Sequence, residues 1–434
     1  MKTLAAALLL ALAPAAWAED AAGDPLLSAL RTELSRSAAR LKNAEASPLY
    51  FLAYEAYDNF YYGLSAKEGA VADESEGRQR RLDADARVGS LQLDNTHEFK
   101  GDAAVSNSKN QEMFSLPTGP DQDALRAEIW NLTDRAYKAA LDKYAKVRMN
   151  KSVTAEEDDK SGDFSTAPAV RSYLKVAAPS VDKEKFRAML RRLSARFKPY
   201  AFIYDSEVFL SVENENRYLV NSEGSEIVSG NNFVRFGYSA YTRTGDGMGL
   251  SRDNIYDASD PAALPSEDEV ARDIDRSISE LKALATAPAE TPYSGPMLLE
   301  ARAAAVFFHE ILGHRLEGHR QKSELSGQTF AAMVGKPIMP AFISVHDDPS
   351  LPAFGAQPLR GFYRYDDEGV AAGSTALVEN GVLKGFLMSR SPIKDFPASN
   401  GHGRRSSGYG AVARMGNLLV TSSNEVPYGR LRAR

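Results

Sequence analysis

Apolar positions recur along this chain with two different periods. Leu26, Leu27, Leu30, Leu34, Ala38 and Leu41 share one face of a helix, and Asp24-Pro25 ahead of them supplies an N-cap and a first helical residue. Leu49 to Tyr57 reads as a strand. Arg81 to Val88 alternates at every step, with Arg81, Asp83, Asp85 and Arg87 outward and Leu82, Ala84, Ala86 and Val88 inward, the pattern of a half-buried strand. Helical spacing returns from about Asp121 to Met149 through Leu125, Ile129, Leu132, Ala136, Ala140 and Tyr144, and the polar tract Thr154 to Asp163 that follows reads as a solvated loop. Val181 to Phe197 predicts another amphipathic helix. Tyr200 to Tyr241 reads as a strand meander with turns at Asn221 to Gly224 and at Ser229-Gly230-Asn231. Ser266 and Glu269 form a capping box before a helix reaching about Leu284, after which Pro288, Pro292 and Pro296 break the chain. Helices and strands come in segregated runs, so the pattern predicts an α+β fold rather than a doubly wound parallel sheet. The breaks divide it into an N-terminal α+β region, 19–290, and a C-terminal domain, 291–434.

The first eighteen residues stand apart. Lys2, an apolar run from Leu4 to Leu12, Pro14, and Ala16-Trp17-Ala18 before Glu19-Asp20 read as a secretory signal peptide, 1–18, cleaved after Ala18. The run is shorter than the ~20 residues that cross a bilayer. A periplasmic or secreted protein, free of the membrane after cleavage, is the expectation. At 434 residues the chain is too long for one ordinary core. Its 52 Lys and Arg against 58 Asp and Glu give a net charge of -6 with no basic block, which argues against a nucleic-acid partner. There is no cysteine, which excludes disulfides and thiol chemistry within these residues, so any metal they hold must be bound by His, Asp or Glu.

Half of the six histidines fall in the segment from His309 to His319. Neutral imidazole is a common metal ligand, and a glutamate beside it can take a proton from a polarised water, so His309, Glu310 and His314 suit metal-assisted hydrolysis. His309 and His314 are five residues apart, about 140° around an ideal helix, and do not share a face. Their convergence requires a π-type bulge or a helix that ends between them, and Gly313 can host either. Glu310 and His314, four apart, do share a face, so Glu310 is ligand or base. The competing reading makes Ala303 to Phe308 a buried helix whose polar end is capped by His309 and Glu310. His319 and His346 read as surface residues.

His309-Glu310-Ile311-Leu312-Gly313-His314 resembles the His-Glu-x-x-x-His signature of the TldD/PmbA family of metallopeptidases, in the TldD-like subunit that keeps the metal motif. Ser294 to Glu300 looks like that family's approach to the motif, and four further stretches are similar: Asp366-Asp367-Glu368-Gly369, Val378 to Gly385, Asn400 to Arg405, and Ala413 to Asn417. Each of three has a structural reading beside it. Asn380-Gly381 is the favoured pair of a type I′ hairpin. Asp366 to Gly369 reads first as a loop, although acidic residues near a metal, Glu368 here and Glu317 in the motif, can orient ligands or bind substrate. Arg404 and Arg405 suit a peptide carboxylate or a structural salt bridge.

The resemblance implies a metal-dependent peptidase with His309 and His314 as ligands and Glu310 as general base. One divalent ion is expected, zinc ahead of iron or manganese, which the same donors suit. It also implies a two-domain α+β fold with a sheet-rich C-terminal domain. The assembly would be a homodimer, or a heterodimer with a PmbA-like subunit, around a cavity that admits unfolded or extended peptides. The family's third ligand is a cysteine near the C-terminus. This sequence has none, so the resemblance implies that the family's C-terminal segment is lacking here, with His402, Glu317 or another carboxylate as substitute ligand. The alternative is a catalytically degenerate partner or assembly subunit.

Overall fold

Long antiparallel strands dominate the first part of the chain in the computed structural model, which describes residues 21, 23–44, 47–98, 114–153, 158–288, 290–322, 328–355 and 357–433. The expected signal peptide lies outside them. The strands are β1 (Leu49–Lys67), β2 (Ala70–Val88), β3 (Phe114–Leu116), β4 (Arg171–Leu174), β5 (Asp205–Asn221), β6 (Glu226–Arg243) and β7 (Gly249–Ala258). They form one sheet in the order β3-β2-β1-β5-β6, with β4 parallel and β7 antiparallel to β6.

Helices α1 (Pro25–Leu41), α2 (Gln122–Val153), α3 (Lys183–Ala195) and α4 (Glu267–Ala285) cover one face of this sheet. Strand period explains why. The even-numbered side chains Leu52, Tyr54 and Ala56 of β1 pack with Leu26 and Leu30 of α1 and Leu125 and Ile129 of α2. Farther along the same face, Tyr62, Leu64 and Ala66 pack with Phe186 and Leu190 of α3 and Ile274 and Ile278 of α4. Asp24 caps α1 by accepting from the Leu26 and Leu27 amides, and the capping box at Ser266 forms. No helix among the described residues is long and apolar enough to cross a membrane.

The opposite face corrects one expectation. Asp83 and Arg87 do not face solvent; both are buried. Asp83 accepts from the Gly408 amide at 3.1 Å, and Arg87 lies 3.7 Å over the Phe164 ring while pairing with Asp85 and Asp94. Glu55 of β1 pairs with Arg217 of β5 at 2.9 Å and with Arg405, and Arg217 pairs with Asp367. Alternation correctly assigned the two faces, but the second part of the chain covers the charged one. The polar tract is likewise not wholly solvated, since Asp163 is buried, accepting from the Asp94 amide and contacting His97 Nδ1 at 2.6 Å. Ser229-Gly230-Asn231 is not a turn: β6 runs straight through it. Glycine stands there because a Cβ would lie 2.5 Å from both the Val176 nitrogen and Asn216 Oδ1. The turn at Asn221 to Gly224 forms, with Gly224 at φ +100°.

Between α4 and residue 300 the described residues hold no helix or strand. Then come α5 (Ala301–Ile311), a 3-10 turn (Gly313–Leu316) and α6 (His319–Lys322). The strands that follow are β8 (Ile343–Asp347), β9 (Ala353–Phe354), β10 (Gln357–Pro358), β11 (Thr375–Glu379), β12 (Val382–Leu383), β13 (Gly403–Arg404), β14 (Val412–Ala413) and β15 (Leu418–Ser422). Four of them form an antiparallel sheet, β12-β11-β8-β15, while β9 with β10 and β13 with β14 make small ribbons. Asn380 and Gly381, at φ 49° and 79°, turn β11 into β12 as the sequence predicts. The whole is an α+β fold.

Candidate metal centre

The His-Glu motif is seated on a separate core in the C-terminal part of the chain by two leucines. Leu312 and Leu316 are buried among Leu377, Leu383, Leu387 and Met388. The Leu387 amide donates to Leu316 O, and the Gly318 amide donates to Leu387 O. Helix α5 ends at this anchor. Leu312 still donates to Phe308 O but turns out of helical geometry, at φ -123° and ψ -54°, and the 3-10 turn begins at Gly313. The helix therefore ends between the two histidines, and that break cancels their five-residue offset. Their rings come within 4.6 Å at 82°, and donor atoms of His309, Glu310 and His314 all lie within 4.8 Å of one another. Each Nε2 is 3.9 Å from a Glu310 oxygen. The alternative of a buried helix capped by this pair is not met, because no residue of α5 is buried and Val306 is 60 % exposed.

Glu317 governs the orientation of His314. Its carboxylate, fully buried, lies 2.9 Å from His314 Nδ1 and accepts from Arg320 Nε at 2.6 Å and from Arg414 at 3.2 Å. Burial alone would raise its pKa; the bonds to Arg320 and His314 and the Arg414 charge outweigh it and hold the carboxyl below its ordinary range. An ionised carboxylate only accepts, so the His314 hydrogen sits on Nδ1 and Nε2 is left as the donor. Glu317 therefore braces the site and is not part of the converging donor set.

Residues 292–432 match the PmbA/TldA metallopeptidase C-terminal domain. The C-terminal part of the chain is therefore a PmbA/TldD-type domain. Similar curated proteins include a metalloprotease of Archaeoglobus fulgidus, 34 % identical over 30 % of this chain and 29 % of that protein. A metalloprotease of Methanothermobacter thermautotrophicus is 31 % identical over 49 % and 45 %. A zinc metalloprotease TldD homolog of Saccharolobus solfataricus is 25 % identical over 48 % and 44 %. This chain matches less than half the length of each. The fold is that of TldE from Thermococcus kodakarensis, with a TM-score of 0.59 and 15 % identity over 93 % of this chain and 79 % of that one. A Thermotoga maritima structure follows at 0.56, with 16 % identity over 92 % and 79 %.

The remaining PmbA/TldD-like motifs fall around the centre rather than in it. His402 is fully buried, with Nε2 3.1 Å from Asp347 Oδ1 and Nδ1 2.9 Å from Asn400 Oδ1, and it is absent from the donor set among the described residues. The expected substitute ligand is thus committed to its own pair. Arg404 pairs with Asp367 at 2.5 Å and lies 4.3 Å over the Tyr363 ring. The side chain of Arg405 is buried against Glu55 and Asp83, which gives it the structural role rather than peptide binding. His319 and His346 are not surface residues; both are partly buried, and burial pushes the His319 pKa down to about 4. Arg414, to which sequence reasoning gave no role, does reach the centre. Its only signal was membership of the Ala413 to Asn417 stretch.

Glu368 is buried with Asp366 under the β13 ribbon. Asp366 accepts from the Glu368, Val370 and Gly403 amides, and Glu368 accepts from the Arg390 amide at 2.6 Å. Burial first, and then the Glu368 charge, pushes the Asp366 carboxyl up to about 8 from an ordinary 3.8. The folded chain therefore keeps a proton that the unfolded chain has released. Stability contributed by this neutral form is complete below pH 4 and is lost as pH rises through about 8. Urea midpoints taken across pH 5 to 9 are expected to fall more steeply for the wild type than for Asp366→Asn; parallel curves would refute the assignment.

Proposed function

We propose that this chain carries the metal centre of an exported peptidase that hydrolyses unfolded or extended peptides. His309 and His314 are the ligands of one divalent ion, and Glu310 is the general base. The observation that carries this reading is the convergence of three donors within 4.8 Å from a spacing that an unbroken helix would splay apart. The donor set fits a metal: both Nε2 atoms lie near the same carboxylate, and the other nitrogen of His314 is held by buried Glu317, the arrangement that orients metal-bound histidines. Zinc is the assignment, in keeping with the name of the Saccharolobus relative, although iron and manganese take similar donors. When bound, the ion supplies Lewis-acid polarisation of water and of the scissile carbonyl. Glu310, an exposed carboxylate beside both imidazoles, accepts the proton of the attacking water and returns it to the leaving amine.

The exposed apolar side chains of α5, Val306, Phe307 and Ile311, support a second subunit over this face, either a copy of this chain or a PmbA-like partner. The signal-like residues 1–18 support a periplasmic or secreted location. Elemental analysis of the purified chain is expected to find one metal ion per chain. Cleavage of an unstructured fluorogenic peptide is expected to be abolished by a chelator and restored by zinc. No bound metal and no chelator-sensitive cleavage would overturn the reading. Metal without cleavage would favour the assembly subunit.

A further inference from the structure

His314 owes its orientation to Glu317, and Glu317 is itself braced from a distant stretch of chain. Arg414 lies 97 positions downstream, directly after β14, and its guanidinium NH1 reaches Glu317 Oε1 at 3.2 Å and Oε2 at 3.5 Å. Oε1 is the oxygen that also meets His314 Nδ1. The other cation on Glu317 is Arg320, which binds Oε2 from the same short segment. Arg414 is therefore the contact from outside the motif that constrains the oxygen facing the histidine. Its own backbone is fixed in turn. The Arg414 amide donates to His402 O at 2.9 Å, and the His402 ring is clamped between Asp347 and Asn400. Asp347 Oδ1 also accepts from the Gly416 and Asn417 amides, so the segment directly after Arg414 is tied to β8.

We propose that Arg414 is a positioning residue for the metal centre, which acts through Glu317 to hold the His314 ring with Nε2 turned toward His309 and Glu310. The inference rests on the metal-centre reading above and adds a residue that makes no contact with the donor set itself. Without Arg414, Glu317 is held, among the described residues, only from within its own segment, and the carboxylate can pivot about its side-chain bonds. A pivot of the carboxylate carries the imidazole with it. A histidine ligand whose outer partner is removed typically binds metal about 10–100-fold more weakly. The same logic explains why the Ala413 to Asn417 stretch belongs to the site although none of its side chains is a donor.

The test uses cobalt(II) alone as probe, because its visible absorption reports ligand geometry as well as occupancy. Arg414→Met and Arg414→Lys are made in the wild-type chain and in Glu317→Gln. Arg414→Met is expected to weaken cobalt binding by about tenfold or more and to change the visible spectrum, with Arg414→Lys recovering part of both. In Glu317→Gln, adding Arg414→Met is expected to change affinity by less than about twofold, because a residue that acts through Glu317 has nothing left to act on. Unchanged affinity and spectrum in Arg414→Met, or losses that multiply in the double variant, would overturn the proposal. Should Arg414→Met fail to fold by circular dichroism, Arg414→Lys decides alone, and a wild-type cobalt spectrum and affinity in it overturn the proposal. Failure of the wild-type chain to take up cobalt would instead remove the metal-centre reading on which the proposal depends.

Discussion

Glu310→Gln is expected to lower cleavage of an unstructured peptide by about 10²–10⁴-fold while leaving metal stoichiometry unchanged. The amide keeps the shape of the side chain and its contact distance to both imidazoles but cannot accept a proton. The two imidazole donors are untouched, and His314 remains oriented by Glu317 from the opposite side of its ring. The result separates the two roles that spacing leaves open for Glu310. A base is needed only for turnover, so activity falls and metal stays; a ligand is needed for the metal itself, so both fall together. Elemental analysis alongside kcat/KM decides between them. Wild-type cleavage by the variant would remove Glu310 from the chemistry altogether.

Arg405→Met is expected to destabilise the fold by about 3–5 kcal/mol. The side chain of Arg405 is buried between Glu55 of β1 and Asp83 of β2, and these two carboxylates lie on the sheet face that the second part of the chain covers. Burial raises the pKa of Glu55 and of Asp83, and in both cases the Arg405 charge is the largest opposing influence. Methionine fills much of the volume but leaves two acids in a dry interface with one cation fewer. Arg404→Ala provides the contrast. Arg404 is 31 % exposed, and its partner Asp367 keeps Arg217, so the expected cost is about 1 kcal/mol or less. Urea denaturation of the metal-free proteins at pH 7 measures both. Equal costs would show that the buried network contributes no more than a surface pair.

The two arginines stand side by side in sequence, and nothing local distinguishes them. The period-2 alternation of β13 and its flanks sends one toward the Tyr363 ring and solvent and the other into the sheet. The same limit applies to Asp83 and Arg87. Alternation from Arg81 to Val88 correctly says which side chains share a face, because strand geometry is local. Whether that face meets water depends on residues far along the chain, such as Phe164 over Arg87 and Gly408 at Asp83, and no local pattern carries that information.

Much of the rest was legible. Caps at Asp24 and Ser266, the helices they begin and the Asn380-Gly381 hairpin follow from the conformational preferences of a few adjacent residues, and each forms where the sequence places it. The Ser229-Gly230-Asn231 stretch misled because its glycine answers to the approach of Val176 rather than to a turn. At the candidate metal centre the sequence alone determined the residue types, the absence of a thiolate ligand within these 434 residues and the requirement that a helix bend or end between His309 and His314. The tertiary structure decided which of those occurs. Leu312 and Leu316 are drawn into the core of the C-terminal part, α5 stops there, and the chain turns back so that the two rings meet. It also decided that His402 serves Asp347 and that Glu317 and Arg414 brace His314, since those pairings are made by packing between segments far apart in the chain.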